Sequence, residues 1–111
     1  MVARVTLAEV DTVRVPLEDA IELYERSVLP ALWEQAGYEG VYVLATPEGK
    51  AMVLTFWRDE EAAREGLDSG FYADQVEKFV TLYRTPPGRE LYDVAVADVR
   101  APAVTTRVGG R

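Results

Sequence analysis

Residues 41–57, VYVLATPEGKAMVLTFW, decide the fold. Two β-rich runs, 41–46 and 51–57, flank Pro47-Glu48-Gly49-Lys50, where proline and glycine stand as a tight turn requires. The stretch therefore reads as a hairpin. Its side chains do not alternate in polarity: Val41, Val43, Val53 and Trp57 occupy one face, and Tyr42, Leu44, Met52, Leu54 and Phe56 the other. Strands with helices on one face and water on the other alternate apolar with polar. This hairpin calls for cover on both faces, and the rest of the chain determines how much cover it can supply.

Upstream, residues 2–10 are rich in β-branched and apolar types and read as a first strand. Pro16 is tolerated at a helix start, Glu18 and Asp19 complement the positive end of the helix dipole, and Leu17, Ile21, Tyr24, Val28, Leu32 and Trp33 follow helical spacing, which predicts a helix from about Pro16 to Ala36. Pro30 removes a backbone donor inside it and predicts a kink or division near Ser27 to Leu29. Gly37 is the expected C-terminal cap. Downstream, Asp59 can cap a short helix opening on Glu60 and Glu61; Gly66 and Ser69-Gly70 interrupt it, and helical spacing resumes through Phe71, Tyr72, Val76, Phe79, Val80 and Tyr83 to about Arg84. Pro86, Pro87 and Gly88 end the helical region, and residues 90–99 alternate as a closing strand. The order is βαββαβ, an α+β domain over 1–100, with 101–111 a tail that is mobile or donated to a partner.

Two helical segments cover one face of such a sheet. The other would expose an apolar patch beyond the few hundred Å² usual on monomers, so the sequence implies a homodimer with sheet facing sheet. Nineteen acidic against twelve basic residues give a net charge of −7, which disfavours nucleic acid and anionic membrane surfaces as partners. No apolar run approaches the ~20 residues that span a bilayer, and the expected location is cytoplasmic. The 111 residues include no cysteine and no histidine, which removes thiolate chemistry and the commonest general base and metal ligand. Chemistry here falls to carboxylates, tyrosines, arginines, backbone groups or the substrate itself.

This layout, with VLPALWEQAGYEG at 28–40 and LTFWRDEEAAREGLDSGFY at 54–72, resembles the antibiotic biosynthesis monooxygenase family of the dimeric α/β barrel, ferredoxin-like superfamily. The most specific piece is Trp57-Arg58-Asp59-Glu60-Glu61-Ala62, a tryptophan ending the third strand before an acidic, small-residue helix start. The resemblance implies a ferredoxin-like antiparallel sheet in a dimer. Haem-degrading members use a histidine ligand that this chain lacks. Quinone-forming members oxidise polycyclic phenols with O₂ and no metal or flavin, in a cleft containing tryptophan, tyrosine, arginine and asparagine. Trp57 matches that tryptophan and Tyr72 lies near the tyrosine, while the sequence has no asparagine.

The candidate site therefore comprises Trp57 and Tyr72 as catalytic residues, with Tyr24, Trp33, Phe71, Arg4 and Thr6 as ligand-binding residues. Trp57 would reach the mouth of a sheet–helix cleft with its N–H free to donate, or else pack under the second helix. Phe71 and Tyr72 follow the Ser69-Gly70 bend and suit either a lid or helix anchors. Tyr24 and Trp33 lie on the inward helical stripe, which serves stacking or core packing alike. Arg4, Thr6 and Arg58 are polar groups on strands: a buried arginine could hold an anionic ligand or phenolate, whereas edge or end positions leave such groups solvated or paired with carboxylates, as is expected of Arg58. Glu60, Glu61, Glu65 and Asp68 read as a solvated helix face and no metal site. The resemblance thus implies a cofactor-independent monooxygenase of phenolic substrates, with a non-catalytic small-molecule-binding or accessory dimer as the alternative, which the missing histidine and asparagine favour.

Overall fold

The computed structural model describes residues 1–68 and 70–100. Four antiparallel strands, β1 (Val2–Glu9), β2 (Tyr38–Ala45), β3 (Lys50–Trp57) and β4 (Gly88–Asp93), form one sheet in the order β2-β3-β1-β4. Helices α1 (Leu17–Leu23) and α2 (Leu29–Trp33) flank a π-helical turn, Tyr24–Val28, and α3 (Glu60–Asp68) and α4 (Gly70–Val80) follow the hairpin. This is the βαββαβ arrangement of a ferredoxin-like α+β fold.

The hairpin turns where the sequence places it. Gly49 adopts φ 100°, its N–H donates to the Thr46 carbonyl at 2.9 Å, and Thr46 N–H donates to the Lys50 carbonyl at 2.9 Å. Only glycine enters that left-handed region without steric cost. The β3 face carrying Val53, Thr55 and Trp57 is buried under the helices, in a core shared with Val2, Ala20, Tyr24, Val28, Ala31, Leu32, Ala62, Ala63 and Phe79. Trp57 is 0% exposed. It is accommodated because α3 presents small residues: a Cβ on Gly66 would stand 2.5 Å from the Trp57 ring.

The opposite face is uncovered in the single chain. Strand pairing sets Phe56 beside Ala3, Leu54 beside Val5 and Tyr42, and Met52 beside Leu7 and Leu44. Leu7 is 54% exposed, and Tyr42 and Leu44 are each 49% exposed. One chain covers one face of its sheet, as the composition of the hairpin requires.

Several boundaries differ from the sequence reading. The first helical passage ends at Trp33 rather than near Ala36, with Gly37 at φ 79° after it. The helix is divided by widening: Leu29 N–H donates to the Tyr24 carbonyl, a five-residue step, one residue before the proline that cannot donate. β2 begins at Tyr38 rather than Val41, because a bulge between Tyr38 and Gly40 lets Tyr38 pair with Trp57. α4 stops at Val80, not Arg84, since the end of β1 captures the next residues: Asp11 N–H donates to Leu82 at 3.0 Å, and Arg84 N–H to Glu9 at 2.9 Å. β4 ends at Asp93, not Val99; its pairing with β1 runs to Val2 opposite Asp93, and Val94 N–H bonds the Met1 carbonyl at 3.0 Å. The expectation about a tail at 101–111 lies outside the described residues.

Candidate functional site

Antiparallel pairing of β1 with β3 and β4 sets Arg4 opposite Thr55, and Thr6 opposite both Val53 and Arg89, all on the helix-facing side. These five side chains floor a cleft whose remaining walls are Tyr24 and Val28 from the π-helical turn, Leu67 of α3, Val76 and Phe79 of α4, and Tyr83. The free volume is about 40 Å³. That is space for a few water molecules, against roughly 300 Å³ or more for a pocket enclosing a drug-sized ligand.

The two sides of the cleft differ in chemistry. On the helical side, Tyr24 meets Phe79 edge to face at 5.6 Å, and Phe79 meets Tyr83 at 5.5 Å, a continuous aromatic wall. On the sheet side stand two guanidinium groups and two hydroxyls. Arg4 is 9% exposed and donates from Nη1 to the Ala63 carbonyl at 2.9 Å, which fixes its position under α3. Arg89 is exposed and makes no ion pair among the described residues. None of the described lining residues is a carboxylate.

Of the residues singled out from sequence, Arg4, Thr6 and Tyr24 meet in this cleft. Trp57 does not stand at its mouth. The indole is enclosed by α3 and Tyr38, whose ring lies 5.9 Å away, and its Nε1 donates to Thr55 Oγ1 at 3.0 Å, so the N–H expected to serve a ligand is engaged internally. Trp33 is 66% exposed and off the inward stripe, because Ala31 and Leu32 take the buried positions at that level of α2. The backbones of Phe71 and Tyr72 open α4, and their side chains lie outside the described residues. Thr55 and Arg89 escaped notice in the sequence, yet strand alternation carried the signal: Thr55 is the polar residue between Val53 and Trp57, and Arg89 shares a face with Leu91.

Burial raises the Tyr38 phenol above its ordinary pKa of 10.0. Asp59 is held below its ordinary 3.8, first by the Ala62 N–H that donates to its Oδ1 at 2.8 Å and further by Arg58. It caps α3 as expected, and Arg58 is solvated beside it. Glu60 accepts a hydrogen bond from Arg64 on the outer face of α3. Among the described residues, no group of three or more carboxylates converges to hold a metal ion, and no helix is long and apolar enough to cross a membrane.

No family profile matches the sequence. No curated protein matches it either. Solved structures do: SnoaB, a cofactor-independent oxygenase from Streptomyces nogalater, superposes with a TM-score of 0.73 over 86% of this chain and 94% of its own, at 14% identity. A crystal structure of an antibiotic biosynthesis monooxygenase gives 0.69 over 86% and 100%, at 12% identity. The chain has the antibiotic biosynthesis monooxygenase fold. A protein of unknown function from Nitrosomonas europaea also matches, with a TM-score of 0.69 over 91% of this chain and 95% of its own, at 21% identity. At these identities the likeness establishes architecture, and the chemistry of the cleft follows from its own residues.

Proposed function

We propose that the cleft binds a small phenolic aromatic and promotes its oxidation by O₂ without a metal or flavin, in a homodimer closed through the open face of the sheet. The observation that carries the reading is the pairing of an aromatic wall, Tyr24, Phe79 and Tyr83, with a cationic floor, Arg4 and Arg89, in one chamber. A ring can stack against the wall while its oxygen points to the guanidinium groups. Nearby positive charge favours the phenolate over the phenol, and the phenolate is the electron-rich form that reduces O₂. For an anthrone, a ring CH₂ becomes C=O: one oxygen atom of O₂ stays in the quinone, and the other leaves as water with the two hydrogens removed. No outside reductant enters.

At about 40 Å³ the cleft must widen to admit such a substrate. Helix α4 is the element to move, because its close backbone neighbours are α3, α2 and the π-helical turn rather than the strands. Oxygen uptake with anthrone and hydroquinone substrates tests catalysis. The expected result is one O₂ consumed per anthrone, above the buffer rate, with Arg89→Gln slowing the uptake at least tenfold; uptake no faster than buffer would overturn it. The engaged indole of Trp57 favours the second reading, a binding protein without catalysis. Saturable binding of the same aromatics without oxygen uptake would establish that reading.

A further inference from the structure

Resting on the reading of the cleft as an aromatic site, we infer that its ligand is an aromatic anion carrying a carboxylate in addition to a phenolic oxygen, and that Arg89 selects for it. The chain carries nineteen acidic and twelve basic side chains. Even so, the described lining of the cleft includes two of the twelve and none of the nineteen. A single phenolate balances the charge of one guanidinium, and a second anionic group on the same ring would balance the other.

The register supplies the geometry. Arg89 faces Thr6, and Arg4 is two residues from Thr6 along β1 on the same side of the sheet, so the two arginines are diagonal neighbours with Cβ atoms roughly 7 Å apart. Arginine side chains are long enough to converge from that spacing on two oxygen functions of one ring, each addressed by its own cation. Their settings also differ. Arg4 is fixed beneath α3 by Ala63 and can meet the phenolate at depth, whereas Arg89 stands exposed at the rim, where its planar fork can receive a carboxylate in a bidentate pair.

The test is calorimetric titration of the full chain with a matched pair, 3-hydroxy-2-naphthoate and 2-naphthol. The expected result is at least tenfold tighter binding of the carboxylate, a preference that Arg89→Gln reduces to within twofold. Arg89 is exposed, so this variant is expected to fold; its unfolding midpoint, measured alongside, shows that it has. Equal affinity of the native protein for the two compounds would overturn the carboxylate inference and leave the aromatic cleft standing. An undiminished preference in Arg89→Gln would overturn the role of Arg89. If neither compound binds, the aromatic cleft and the inference both fail.

Discussion

At the scale of single residues, Gly66 and Asp59 show how local chemistry seats α3 on the sheet. Replacing Gly66 with alanine gains up to about 1 kcal/mol of helix propensity. The added methyl, however, would lie 2.5 to 3.3 Å from three atoms of the Trp57 ring, and overpacking costs about 1–3 kcal/mol. Gly66→Ala is therefore expected to be net destabilising, read as a lower urea midpoint. The sequence made Gly66 look like an interruption of the helix; nothing in the linear order indicates that it makes room for an indole from β3. Asp59 acts through its charge and its cap. Its folded pKa lies below its unfolded value, so its contribution is fully present above the ordinary 3.8 and is lost as pH falls through the folded value. Asp59→Asn should keep the cap to Ala62 and flatten this acid-side loss, whereas Asp59→Ala should lower the melting temperature at neutral pH. Melting curves between pH 2 and 7 distinguish the variants.

At the scale of elements, the π-helical turn is the departure from regular structure that shapes the cleft. Ala20, Tyr24, Val28 and Leu32 are all buried at steps of four residues. In an α-helix of about 3.6 residues per turn each such step overshoots a full turn by about 40°, so the stripe would drift off the sheet. The wider turn winds more residues into each circuit and restores the alignment, which keeps Tyr24 and Val28 together on the cleft side. Pro30→Ala, by restoring an N–H and permitting a regular helix, should leave the thermal stability equal or higher and weaken 3-hydroxy-2-naphthoate binding; unchanged binding would separate the π-helical turn from the site. Sequence spacing located the stripe but extended it to Trp33, since periodicity cannot register a widened turn. Trp33→Ser should change stability by no more than about 0.5 kcal/mol, as for other exposed positions, and leave aromatic binding unaltered.

At the scale of the whole molecule, the hairpin composition conveyed the strand pair itself and the apolar character of both its faces, one of which the helices bury and the other of which lies exposed in the single chain. The cleft was only partly legible: Arg4, Thr6 and Tyr24 stood out individually, but Arg89 becomes their neighbour through a β1–β4 pairing more than eighty residues apart in the chain, which no local pattern encodes. The open face gives a direct test of assembly. Leu44→Lys places a charge at a position already half exposed in the single chain, so folding should survive while sedimentation velocity shifts from dimer to monomer. The attachment of α4 carries a further consequence. Its C-terminal end is anchored, through Leu82 and Arg84, to the backbone of Asp11 and Glu9, and Tyr83 bridges Val10. At its other end, a Cβ built on Gly70 would meet no atom of the described residues within 4 Å. With the C-terminal end of α4 tied to β1 in this way, amide hydrogen exchange along the helix is expected to quicken from Val80 toward Gly70, and to slow near Gly70 when an aromatic ligand is added.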